Sequence, residues 1–267
     1  MCAQFASCHE NSNPFFGLLP PNPINRTDLA HALYQKLAPA KSAQQYGYTI
    51  DPPLEYAQSV NADINLTLGI SACLLFFKTP SSANRAIGAG MLAMILGNIG
   101  VLLNDPVERL EFVTTFGQFV QLVINGFVTY ALLSGAEYAD LTLKAFSIWL
   151  MSNGALCALS PDQADDAWGG EAEDTTAGGR AKIRVIGGNC LALGTFCHAL
   201  AMDKSPAQAL GLAFIPIAIN LVNCMFVSPA DFKDAGVKEG PVYGWIAASL
   251  VAIATLAFPE AAAAAAE

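Results

Sequence analysis

Charge is what this sequence has least of. Lysine, arginine, aspartate and glutamate make up 13% of its 267 residues, whereas 54% are hydrophobic and mean hydropathy is +0.42. A soluble domain carries roughly a quarter charged residues, so this scarcity excludes an ordinary water-facing surface and points to a chain solvated by lipid. Basic residues are fewer still, leaving a net charge of −9 and a pI near 4.7, which excludes nucleic acid as a partner.

Histidine is also rare. Only His9, His31 and His198 occur, no two at helical spacing, and HExxH, GxSxG and P-loop patterns are absent. That removes the usual sequence basis for hydrolytic, nucleotide or metal chemistry, and His198 reads as a helix-packing residue. No CxxC pair exists, so zinc and dithiol redox sites lack support. Cys73, Cys157, Cys190, Cys197 and Cys224 lie in apolar runs, where cysteine behaves as a small buried hydrophobe, and only Cys2 and Cys8 lie outside. The expectation is therefore no catalytic residue, no metal site and no cofactor.

What is present is a series of apolar stretches of bilayer length. Residues 112–133 contain no charge, and at 100° per residue Thr114, Gln118, Gln121, Asn125 and Thr129 fall on one stripe. Phe112, Phe116, Phe119, Phe127 and Tyr130 gather on the other side. Amides find no partners in lipid, so the stripe is expected to face other helices or a wet cavity. The remaining spans are expected at 57–77, 87–103, 141–159, 183–202, 207–227 and 242–258. The fold class is all-α, a polytopic membrane bundle of about seven transmembrane helices, or six if the first, interrupted by Asn61 and Asp63, does not cross.

Around this domain (57–258) lie a polar leader and a short tail. Residues 1–56 are proline-punctuated and lack a signal-peptide pattern. Leu29, Leu33 and Leu37 predict a short amphipathic helix over 27–37, laid on the membrane surface or a neighbouring protein, or else a nascent turn in a loose tail. The stretch 160–180 carries six acidic residues among Gly, Ala and Thr and reads as a solvated flexible loop without EF-hand spacing. Residues 259–267 are an alanine-rich tail.

Within the spans, Ala89, Ala93 and Gly97 recur every four residues, the spacing that lets membrane helices approach closely. Pro216 removes a backbone hydrogen bond in the sixth span and predicts a kink. Ser82, Ala86, Ile87 and Gly88 align with Ser205, Ala209, Leu210 and Gly211, which suggests a 3+1+3 parallel repeat of the kind some small-solute carriers use. Asn98, Asn153, Asn189 and Asn220 would lie in the half of the bilayer nearest the leader and form a polar layer around the third span. Lysine and arginine are more numerous on the leader side, which makes it cytoplasmic or its organelle equivalent.

Taken together these features describe a multi-pass integral membrane protein without catalytic function, a structural or accessory subunit of a membrane complex. The alternative is a channel or carrier for a small neutral solute lined by the polar face of the third span. The expected partners are the lipid bilayer and either membrane proteins or further copies of the chain.

Overall fold

A computed structural model of the chain describes residues 23–47, 52–76, 82–104, 115–168 and 176–258, with the backbone alone for 23–29, 52–56, 101–104, 115–118 and 168. The described residues are helical throughout, with no strand among them. Two leader helices, α1 (Pro23–Leu37) and α2 (Pro39–Gln45), precede four long ones: α3 (Pro52–Phe76), α4 (Ala83–Asn104), α5 (Thr115–Ser134) and α6 (Ala139–Leu159). The short α7 (Pro161–Trp168) leads to α8 (Ala177–Ala201), α9 (Pro206–Val222), α10 (Pro229–Asp234) and α11 (Glu239–Ala252). A π turn extends α9 through Asn223–Val227 and another extends α11 through Ile253–Ala257.

The helix starts follow from local chemistry. Six of the eleven begin on proline, whose missing N–H is unneeded in the first turn and whose fixed φ suits it. The Thr176 hydroxyl accepts from Gly179 N at 3.0 Å to cap α8, and Ser205 with Gln208 forms a reciprocal capping box on α9.

Four helical stretches are long and apolar enough to cross a membrane: Ala57–Phe76, Ala177–Ala201, Pro206–Val227 and Glu239–Ala257. Phe119–Ser134 is a shorter apolar helix. These helices fit a membrane protein.

The central member is α8, which packs on α6, α9 and α3. Its approach to α6 is backbone to backbone, because a Cβ on Gly187 would lie 2.5 Å from Ala158 N and one on Gly154 would lie 2.8 Å from Gly187 O. On α4 the close approach to α3 runs through Gly90 and Gly97, the latter against the Asp63 carboxylate, while Ala89 and Ala93 are half-buried. The core gathers Ile87, Met91, Leu132, Leu143, Leu150, Ile186, Leu193 and Phe196, all buried.

The leader folds back on its own chain. α1 packs along α3, and Lys36 Nζ donates to both Ser59 Oγ and Asp63 Oδ2 at 2.8 Å. Gln58 Nε2 donates to Ser42 Oγ at 2.9 Å, while Lys238 N donates to Tyr46 O at 2.8 Å beside Gly47, whose φ of +90° turns the chain. The leader helix starts four residues earlier than its leucine spacing suggests, at Pro23, and packs on the chain's own first long helix.

The acidic stretch is part helix. α7 occupies its first third, and buried Ala164 packs with Cys157 and Ile183. Residues 169–175 lie outside the described residues, as do the tail and the first part of the leader. Arg180 and Arg184 of α8 reach Asp231 of α10 at 2.9 and 2.7 Å, and Arg184 Nη1 also donates to Ala158 O at 2.6 Å. Burial pushes the Asp231 carboxyl up, but the hydrogen bonds and charges of the two arginines outweigh it and hold it below the usual carboxylate range. This fixes α10 against the leader-side end of α8.

Candidate functional site

Where α1, the turn after α2, α3, α8, α9, α10 and α11 come together, they line a partly open cavity of about 140 Å³. One water needs roughly a tenth of that, so the space suits a small molecule. Four of its walls are helix faces. His31 and Gln35 come from α1, and Asn61, Asn65, Leu68 and Ala72 from α3. Lys182, Val185 and Asn189 come from α8, and Leu210, Phe214, Ile217 and Leu221 from α9. In each case steps of three or four residues put the side chains on one helical face.

The polar groups form one connected chain. Trp245 Nε1 donates to Tyr46 Oη at 3.0 Å, which leaves the tyrosine O–H to donate to His31 Nε2 at 3.1 Å. Gln35 Nε2 donates to the same nitrogen at 2.9 Å, and Gln35 Oε1 accepts from Asn61 Nδ2 at 3.2 Å and Asn65 Nδ2 at 3.3 Å. Asn61 Oδ1 then accepts from Asn189 Nδ2 at 2.6 Å.

The Gln35 amide and the Tyr46 hydroxyl share the one lone pair of His31 Nε2, which is available only if that nitrogen carries no proton, so the network fits a neutral imidazole with its hydrogen on Nδ1. Electrostatics agree. Burial, with the nearby charge of Lys182 adding to it, pushes the His31 imidazole down to about 4. Burial also raises the Tyr46 phenol, against the opposing hydrogen bond from Trp245, so it stays a donor at neutral pH. The His31 and Trp245 rings lie 5.6 Å apart, closing the leader end with aromatic surface.

Lys182 is the exception in this wall. Its side chain is buried, 3% exposed, and no hydrogen bond or ion pair joins its ammonium to any described residue. No carboxylate stands among the described lining residues.

The polar stripe of the third span lies elsewhere. Asn125 and Thr129 are buried and Gln121 is half-buried, donating to Asn125 Oδ1 at 3.1 Å. Asn125 Nδ2 and Thr129 Oγ1 find no partner among the described residues. Phe119, Phe127 and Tyr130, on the other side of α5, are exposed. Thr114 and the side chains of Phe116 and Gln118 lie outside the described residues.

No described stripe residue lines this cavity or the second, more open hollow of about 380 Å³, which is bordered by Met151, Thr195, His198, Lys204 and Pro216. The span asparagines do not share a network. Asn153 donates to Trp149 O of its own helix at 2.9 Å, Asn220 donates to Arg184 O at 2.8 Å, and Asn98 is half-buried. Of the described residues expected in the polar stripe or layer, Asn189 alone joins the cavity.

The group that does line it, His31, Gln35, Tyr46, Asn61, Asn65, Lys182 and Trp245, was missed. The available signal was the shared spacing of 31/35, 61/65/68/72 and 182/185/189, a polar end running into an apolar one. In comparisons with known proteins, no family model matches the chain, and neither a curated protein nor a solved structure matches it.

Proposed function

We propose that the chain is a non-catalytic, multi-pass membrane protein that holds a small amphipathic molecule in the cavity closed by its leader. One observation carries this reading: the polar groups of the cavity all lie toward its leader end, among apolar ones, and its far end is apolar throughout. The Asn189 to Asn61 bond sets α3 and α8 in register, and Leu68 and Ala72 lie roughly 10 and 16 Å further along α3 than Asn61. Leu210 and Phe214 of α9 line the apolar end with them. Such a site, mostly apolar with a few convergent polar groups, is the form ligand pockets take.

In the same proposal all seven long helices cross the bilayer, with α3 to α5 and α8, α9 and α11 as the two triplets of a repeat. Contact between their first members, α3 and α8, supports that arrangement. Ligand holding agrees with an accessory-subunit role and replaces a pathway along the third span, whose described polar residues line neither hollow.

The test is thermal unfolding in phosphatidylcholine nanodiscs with ten-carbon amphiphiles bearing alcohol, carboxylate or amine heads. A ligand that binds only the folded state raises Tm by mass action. At least one should do so for the wild type and fail to do so for Ile217→Trp, which fills the cavity. No shift with any head group, or equal shifts in both proteins, would refute the reading.

A further inference from the structure

We infer that the cavity is an anion site, in which Lys182 binds the carboxylate of a singly charged molecule whose apolar tail lies along Leu68, Ala72 and Phe214. This rests on the ligand-holding reading above and adds the class of head group. Lys182 is 3% exposed and lacks a partner among the described residues, yet burying an unpaired ammonium costs several kcal/mol in a low dielectric. The other described cationic side chains at this end that are not exposed are already occupied: Arg180 and Arg184 by Asp231, Lys36 by Asp63. His31 is neutral in its network and adds no second positive charge. No described carboxylate lines the space, so a protonated Lys182 has no counter-charge in its wall.

That count selects the ligand. A carboxylate balances one ammonium, whereas a phosphate monoester near pH 7 brings close to two negative charges and would leave one buried without a partner. Lys182 precedes Asn189 by two helical turns, roughly 10 Å nearer the leader end, and the apolar walls run on beyond Asn189. A carboxylate at Lys182 therefore directs its tail along the apolar walls, with the Asn65 and Asn189 amides beside its path.

The experiment is equilibrium dialysis of radiolabelled decanoate and decanol against the full chain in phosphatidylcholine nanodiscs, with empty nanodiscs as the blank. Decanoate should bind at least tenfold more tightly than decanol. Lys182→Met should lose that advantage while binding decanol as before, and Lys182→Arg should retain most of it. Decanol binding by Lys182→Met also shows that the variant is folded.

Equal affinity for the two molecules in the wild type, or equal decanoate affinity in wild type and Lys182→Met, overturns the anion assignment and leaves the cavity reading standing. Binding of neither molecule to the wild type overturns both.

Discussion

Asn189 donates its side-chain N–H to Asn61 Oδ1 across 2.6 Å, joining residues 128 positions apart. The bond ties α8, at the centre of the fold, to α3, the helix on which the leader rests. It is also the innermost link of the chain that ends at Trp245.

Asn189→Leu should therefore destabilise the protein by about 1–2 kcal/mol, because Asn61 Oδ1 is left buried without its donor. In a double-mutant cycle, Asn61→Leu with Asn189→Leu should cost less than the sum of the single changes. Unfolding in mixed micelles measures all four corners. Strict additivity would mean that the bond contributes nothing.

The neutral state of His31 gives stability a defined pH dependence. Its folded value of about 4 lies below the ordinary 6.5, so the unfolded chain binds more protons between those values. The stabilisation is complete above pH 6.5 and is lost as pH falls, about 3 kcal/mol by pH 4. His31→Gln should flatten that part of the pH–stability curve. An unchanged slope in the variant would place the titration elsewhere.

The ion pair of Lys36 with Asp63 pins the leader, and the Asp63 carboxylate is 10% exposed. Lys36→Met should cost about 3 kcal/mol, since it strands a buried charge, and should make the leader easier to cleave by protease. Adding Asp63→Asn should recover much of that loss. A double variant as weak as Lys36→Met alone would argue against a stranded charge as the cause.

Crossing of α6 and α8 depends on the absence of side chains. Gly187→Ala places a methyl 2.5 Å from a backbone nitrogen and should cost about 1–3 kcal/mol. Gly126→Ala meets nothing within 4 Å and should be neutral or gain up to about 1 kcal/mol from helix propensity. Thermal unfolding of the two variants side by side checks the contrast.

The helices were legible in the sequence because they coincide with long apolar runs and proline and serine mark their starts, as at Pro206 behind Ser205. The two-sided character of α5 was legible for the same reason: one turn geometry separates Asn125 and Thr129 from Phe127 and Tyr130. The cavity was not. Asn61 and Asp63 looked like flaws in a weak span, whereas Asn61 holds Gln35 and Asn189, and Asp63 holds Lys36.

Lys182 sits just before the apolar run that begins at Ile183 and resembled an ordinary interfacial lysine. Only the fold, which packs α10 on α8 and brings residues of α1 and α11 to the same cavity, shows that it is buried. Periodicity gives the face of one helix, but which faces meet depends on contacts between residues as distant as Tyr46 and Trp245. No local pattern contains those contacts.

The central claim is that the leader-closed cavity holds a small molecule, and native mass spectrometry of the chain released gently from its own membrane tests it most directly. The wild type should carry one additional small mass that is absent from Ile217→Trp. The bare chain mass in both proteins, with unfolding still cooperative in both, would contradict the account.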